Sequence, residues 1–366
     1  MPQIVQFTGP RAVELAVCQP MPLQPGTVRV RTWYSGISAG TELTAYRGSN
    51  PYLTKTWDAQ RRLFTAGPPS FEYPVAGWGY SEVGEVVEVA DDVVGLEPDQ
   101  VVYGIWGHRS DAVVPAGMLA GRQMPAGEEP LHGIFARVGA IALNAVLAAE
   151  PHLGERVAVF GQGVIGLLAT RLATLSGARV VAVDGLEHRL GLAKAMGATD
   201  VVPATAPGGA GDVIRALTAD VGVDVAIELS GSYRALHEAV RSVVPDGKVV
   251  ASGFYQGGGE HLALGEEFHH NRVHIVASQI GGTPVALGPR WNRERLVHTF
   301  MDQLNAGAVD VAPLITDVVD AAHVADAFER LDAGAPETLQ VVLRFDAAPQ
   351  SGAARSGAAE SGDGAA

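Results

Sequence analysis

The sequence predicts an α/β protein built from a β-rich N-terminal domain and a doubly wound parallel sheet. Three observations carry this. The first third reads as short β-branched or alternating runs, IVQF, VELAV, VRVRTWY, EVGEVVEVA, QVVYG and DAVVPA, separated by Gly and Pro. From Arg156 the chain alternates strand-like and helix-like segments, as crossovers between parallel strands require. A glycine triplet stands at the first strand-to-helix junction of that second part.

The bulk composition permits this architecture. The chain has 366 residues, is 47% hydrophobic and 18% charged, and so has material for one large or two medium domains. Its formal net charge of −14 argues against a nucleic-acid partner. The single cysteine, Cys18, excludes an intrachain disulfide and any multi-cysteine zinc site, and its run AVELAVC marks it as a core or strand residue. No basic segment leads into an apolar core at the N-terminus, and no apolar run approaches the ~20 residues of a membrane span. The expected location is the cytoplasm, with no membrane partner.

The elements follow in order. Residues 1–128 form the β-rich domain. Within it GISAGTELTAYRG follows a strand and gathers Ser38, Thr41, Glu42 and Thr44 around a turn into a helix. The long stretch RGSNPYLTKTWDAQRRLFTAGPPSFEYP reads as a loop, and its Tyr52, Trp57, Phe64 and Phe71 argue for a functional rather than a disordered one. Residues 129–282 open with the apolar helix IFARVGAIALNAVLAA. Six strands follow, VAVF, RVVAVD, DVV, VDVAIELSG, GKVVASG and VHIVASQI, with helices between them. Residues 283–346 hold two helices, RERLVHTFMDQLNAG and HVADAFERLDAG, and the strand LQVVLRF, all expected to fold back onto the first domain. Residues 347–366 are Ala/Gly/Ser-rich and read as a disordered tail.

VAVFGQGVIG places Gly161, Gly163 and Gly166 in G-x-G-x-x-G register, with Val164 and Ile165 between the last two. The first glycine permits the tight turn, the second lets a pyrophosphate approach the backbone, and the third lets helix and strand pack closely. The next strand ends in Asp184, where a carboxylate accepts from ribose hydroxyls and repels a 2′-phosphate. This favours NAD(H). NADP(H) stays open, because Arg189 lies one turn into the following helix, within reach of such a phosphate. Ser230 and Gly231 end the fourth strand and Ser252 and Gly253 the fifth, positions where parallel sheets bind ligands.

This layout resembles the medium-chain dehydrogenase/reductase superfamily, on GISAGTE, GYSEVG, PDQVVYG, VFGQGVIG with VVAVD, and AKAMGATDVV. The resemblance implies a GroES-like catalytic domain beside a Rossmann cofactor domain. It also implies a homodimer, paired through the edge strand VHIVASQI. Zinc alcohol dehydrogenases of the superfamily hold zinc with a Cys in the first motif, a His in the second and a later Cys or Glu. Here those positions fall on Ser38 or Ala39, on Tyr80 and, by aligning ARVGAIALNAV, on Arg137. Hydroxyls and a guanidinium are poor zinc ligands. The four-cysteine structural lobe is also missing from VVYGIWGHRSDAVV. The chain therefore resembles a zinc-independent member, of the branch that includes bacteriochlorophyllide hydroxyethyl dehydrogenase. No metal is expected.

Without a Lewis acid, hydrogen-bond donors or a cation must stabilise the alkoxide. Thr41 matches the hydroxyl that relays the proton in zinc relatives. Tyr80 can donate to the carbonyl, Arg137 can supply positive charge, Glu42 can orient Thr41 or Arg137, and Ser38 is a further hydroxyl. His108 follows a strand and can enter the pocket. His269 and His270 are adjacent and read as structural, since neighbouring residues rarely face one ion. Trp57 and Trp291 are candidate pocket walls. The reading is hydride transfer between a nicotinamide cofactor and a secondary alcohol or ketone, such as a polyol, cyclitol or specialised metabolite. The alternatives are an enone or quinone reductase and a non-catalytic cofactor-binding protein.

Overall fold

The computed structural model describes residues 1–345 and 348. The N-terminal part comprises β1 (Gln3–Gly9), β2 (Ala12–Val17), β3 (Thr27–Gly36), α1 (Glu42–Arg47), β4 (Thr56–Asp58), β5 (Leu63–Thr65), β6 (Val75–Ala76), β7 (Glu82–Val89), β8 (Val101–Gly104) and β9 (Asp111–Pro115). β3 alternates buried and half-exposed positions in its first half and is buried at its end, because there it runs beneath the second domain. It pairs antiparallel with β7 on one side. β8 and β9 follow each other directly, so no lobe is inserted between them.

The second part comprises α2 (Phe135–Ala149), β10 (Arg156–Phe160), α3 (Val164–Leu175), β11 (Arg179–Asp184), α4 (Glu187–Ala195), β12 (Asp200–Pro203), α5 (Ala210–Leu217), β13 (Val223–Glu228), α6 (Tyr233–Ser242), β14 (Val243–Ala251) and β15 (His274–Ala277). The sheet order is β12-β11-β10-β13-β14-β15, all parallel. The order reverses between β10 and β13, which opens a crevice at their carboxyl ends. The strands are buried on both faces and read as continuous apolar runs for that reason.

The last part holds α7 (Arg293–Asn305), β16 (Ile315–Asp320), α8 (Val324–Asp332) and β17 (Gln340–Arg344). β17 pairs antiparallel with β3 and parallel with β16, which returns the chain to the first domain's sheet. α8 packs with β1 and α1 around Phe7, Tyr46 and Phe328.

Several expectations need correction. α7 reaches the first domain only at its edge, through Arg122–Glu294 (2.8 Å), and packs mainly on α2, where Gly139 leaves room for the Phe300 ring, since a Cβ there would lie 2.2 Å from it. The strand β16 was not expected, because its Asp317 and Asp320 interrupt the apolar run ITDVVD. The long loop is partly regular: β4 and β5 form a hairpin, and Tyr52, Trp57, Phe64 and Phe71 pack ring against ring. A 310-type turn lengthens α2 into one helical stretch, Pro130–Ala149, of 20 residues and mean hydropathy 1.6, long and apolar enough to cross a membrane. Most of it is buried against α3 and α7, which explains its apolarity as that of a core helix. The tail expected to be disordered, residues 347–366, lies outside the described residues except for Ala348.

Candidate active site and cofactor cleft

A cleft of about 310 Å³ runs between the two domains. Its walls include Ser38, Ala39 and Gly40 from the turn after β3, the glycine loop Gly161–Gly166, Asp184, Arg189 and Ser230, and Thr338 to Gln340 before β17. The turn GISAGTE and the glycine loop therefore face one space.

The glycine loop fits a dinucleotide. Gly161 has φ 87°, a conformation that a β-carbon would strain. A Cβ on Gly166 would lie 1.7 Å from the Gly161 carbonyl, so only glycine lets α3 approach β10 this closely. A Cβ on Gly163 would meet open space, the space a pyrophosphate would fill. Gly163 caps α3 without any side-chain hydrogen bond, which leaves the first-turn N–H groups at Val164 and Ile165 for an anion. Asp184 accepts from Gln162 N (2.6 Å) and Leu186 N (2.9 Å), which fixes its carboxylate at the cleft wall. A second hollow of about 370 Å³ continues beyond Asp184, past Gly185, Ser232 and Arg234.

Arg189 lines the cleft, but its guanidinium donates to Thr338 O (3.0 Å) and ties α4 to the returning chain. Ser230 faces the cleft. Gly231, Ser252 and Gly253, also expected at the cofactor, lie just behind Ser230. Ser252 Oγ donates to Ser278 O (3.1 Å), and Gly253 abuts Gly231, where a Cβ would lie 2.3 Å from the Gly231 nitrogen. Their organiser is Glu228, which the sequence reading missed. Buried at the end of β13, it accepts from Ser230 N (2.8 Å), Gly231 N (3.2 Å), Ser230 Oγ and Tyr255 Oη. Burial pushes its carboxyl above the usual range, against those donors. The available signal was a carboxylate closing the apolar run VDVAIE.

At the other end of the cleft Ser38 hydrogen-bonds Tyr80, whose hydroxyl also lies 3.5 Å from Thr41 Oγ1. Thr44 Oγ1 donates to Thr41 O (2.6 Å) and accepts from Asn50 Nδ2 (2.7 Å), which pins the turn. Of the six expected catalytic side chains only Ser38 lines the cleft itself; Tyr80 and Thr41 stand behind it through these contacts. Burial, then the charge of Glu42, push the Tyr80 phenol above its ordinary value, while Ser38, Thr41 and Arg137 act the other way. Arg137 is half-buried on α2, with its pKa lowered by burial and by Arg293 and Arg122.

His108 does not enter the pocket. Gly107, at φ 78°, turns the chain inward, and His108 is fully buried. Its Nε2 pairs with Glu42 Oε2 (2.7 Å) and its Nδ1 with Ser35 Oγ (2.5 Å); Ser35 Oγ donates to Glu82 Oε1 (3.1 Å). Trp106 N donates to Glu82 Oε2 (2.8 Å). Glu42 thus pairs with His108, not with Thr41 or Arg137. Burial alone would lower the His108 pKa, but Glu42 and Glu82 outweigh it and hold it above the ordinary value; burial raises Glu82.

The donor set at Ser38, Tyr80 and Arg137 does not fit a zinc ion. Two hydroxyls bonded to each other and a guanidinium offer neither thiolate nor imidazole nor carboxylate. Behind them His108 Nε2 holds Glu42 Oε2, and the other Glu42 oxygen is buried without a hydrogen-bond partner.

Residues 164–293 match the family described as zinc-binding dehydrogenase. That match lies in the cofactor domain and its exit and contains none of Ser38, Tyr80 and Arg137. D-guloside 3-dehydrogenase of Escherichia coli K12 is 29% identical over 336 residues, 88% of this chain and 93% of that one. The fold is shared with 2R,3R-butanediol dehydrogenase from Bacillus subtilis (TM-score 0.76, 20% identity, 94% of this chain and 99% of that one). It is also shared with a zinc-binding dehydrogenase homologue from Sinorhizobium meliloti 1021 bound to NADP (TM-score 0.74, 22% identity, 94% and 99%).

Proposed function

We infer that this protein, a nicotinamide-dependent alcohol oxidoreductase of the medium-chain dehydrogenase superfamily, oxidises a secondary hydroxyl of a sugar or polyol without a catalytic zinc. The observation that carries this is the hydroxyl cluster of Ser38 and Tyr80, which fall where zinc relatives carry ligands, with Thr41 beside them. The carbohydrate substrate is supported by the guloside dehydrogenase, whose match spans nearly the whole chain.

A bound nicotinamide supplies the hydride acceptor. The glycine loop and the first turn of α3 hold its pyrophosphate, and Asp184 accepts from the adenosine ribose. The carboxylate favours NAD over NADP, and Arg189, which lines the cleft, is turned toward the returning chain by its bond to Thr338 O. Tyr80, with its pKa held up, is a phenol at neutral pH. In oxidation Ser38, which lines the cleft, takes the alcohol proton as it passes its own to Tyr80, and Tyr80 passes its proton through the half-exposed Thr41 to solvent; in reduction the relay runs in reverse. Arg137 adds positive charge behind the relay, where it acts on Tyr80. β15 ends the parallel sheet with one edge unpaired, and we place a second copy there; a monomer by light scattering would overturn that placement.

The test is NADH production from NAD and a panel of simple glycosides and polyols, before and after removal of metal with a chelator. Undiminished turnover after chelation is expected. Activity that vanishes and returns with zinc would overturn the metal-free reading.

A further inference from the structure

We propose that His237, Glu266 and Glu267 form a site for a divalent transition-metal ion, of which zinc is the best match, on the cofactor domain away from the catalytic cleft. His237 lies on α6. The two glutamates lie on a wide helical turn, Leu264–Phe268, that packs against α6 between β14 and β15 and is broken at Glu266 (φ −100°, ψ −126°). Each of the three offers a ligand atom within 4.8 Å of the other two, the one such grouping of three or more His, Cys, Asp or Glu among the described residues. Zinc ligands sit about 2.0–2.2 Å from the ion, so side-chain rotation of two long glutamates closes the remaining gap, with water completing the shell.

An independent observation points to a ligand. His237 Nδ1 and Glu267 Oε2 are both buried without any hydrogen-bond partner. Unpaired polar atoms are costly to bury, and two in one cluster are accounted for if a cation joins them. The local charge also favours a cation. Arg241 contacts Glu267 Oε1 (3.5 Å), Glu238 (3.0 Å) and Asp212. Three carboxylates thus contact one guanidinium, and Glu266 adds a fourth negative charge to the cluster with Glu267 and His237. Arg241 occupies only Oε1 of Glu267 and leaves Oε2 for the ion. Imidazole with two carboxylates suits zinc better than the all-oxygen preference of calcium or magnesium. Such an ion would fasten the segment between β14 and β15 to α6. The adjacent His269 and His270 pack edge to face (5.4 Å between ring centroids) and are not in the group.

The experiment is calorimetric titration of the chelator-stripped full chain with zinc chloride, with NADH binding measured alongside. One zinc per chain is expected, bound at least about tenfold more weakly by His237→Gln and Glu266→Gln, with NADH affinity and alcohol turnover unchanged. Glu266 is exposed, so its variant leaves the packing intact. Equal zinc binding by the wild type and both variants, or no saturable binding, would overturn the site. Zinc binding lost in Tyr80→Phe but kept in His237→Gln would overturn it too, and would separately count against the metal-free catalytic reading.

Discussion

His108 and Glu42 form an ion pair 2.7 Å long with both side chains essentially excluded from solvent. The pair sits directly beneath the turn that carries Ser38 and Thr41, and Ser35 extends it to Glu82. Burying two carboxylates is tolerable here because one imidazole, the Ser35 hydroxyl and one backbone N–H serve three of their four oxygens.

Removing one partner should be severe. His108→Leu leaves Glu42 buried and unpaired, and we expect a loss of about 3–5 kcal/mol in urea unfolding. The pair also sets a pH dependence. The folded-state pKa of His108 is raised, so its contribution is full below the unfolded value of about 6.5 and is lost as pH rises through the folded value. Glu82, also raised, acts with the same sign from its ordinary 4.5 upward. The urea midpoint of the wild type should fall as pH rises above about 6.5, and fall less steeply in His108→Leu.

Tyr80→Phe removes the hydroxyl that bonds Ser38 and approaches Thr41 while keeping the ring. We expect kcat to drop by about 10²–10⁴-fold with little change in NADH affinity. Steady-state kinetics with a fluorescence titration of NADH separates the two effects. An unchanged kcat would assign proton transfer to another group.

Asp184→Asn keeps the shape and removes the charge. The preference for NAD over NADP should fall by about 10–100-fold, the worth of a charge-assisted hydrogen bond of about 1.5–3 kcal/mol. The ratio of kcat/KM for the two cofactors reads it.

Two glycines of one loop should fail differently. In Gly166→Ala the new carbon meets a carbonyl oxygen at 1.7 Å, so α3 must move. Stability should fall by about 1–3 kcal/mol, and cofactor binding with it. In Gly163→Ala the carbon enters open space, so thermal unfolding should match the wild type while NADH binding weakens. Calorimetry on both variants distinguishes packing from ligand contact.

The strand and helix sequence of the cofactor domain was legible because β10, β11 and β13 are apolar runs and their helices carry a distinct period. The glycine register and Asp184 were legible because backbone approach and ribose recognition demand particular residues at short spacing. The main partner of α7 was not legible because an amphipathic helix states that it has a partner and not which one; Gly139 and Phe300 decide that. Glu228 went unseen because a carboxylate at a strand end looks like an ordinary turn residue until its four donors are in place.

By itself, then, the sequence determined the two-part α/β architecture, the dinucleotide loop, and the lack of thiolate and imidazole at Ser38 and Tyr80. Each of these follows from residue type and local period. Only the tertiary structure decided that His108 turns inward to Glu42, 66 residues away in the chain, and that Tyr80 meets Ser38 across 42. It also decided that His237 meets the glutamates of a distant turn. Hydrophobic periodicity specifies which face is buried, but the partner of a buried polar group is set by where the folded chain returns, and no local pattern encodes that.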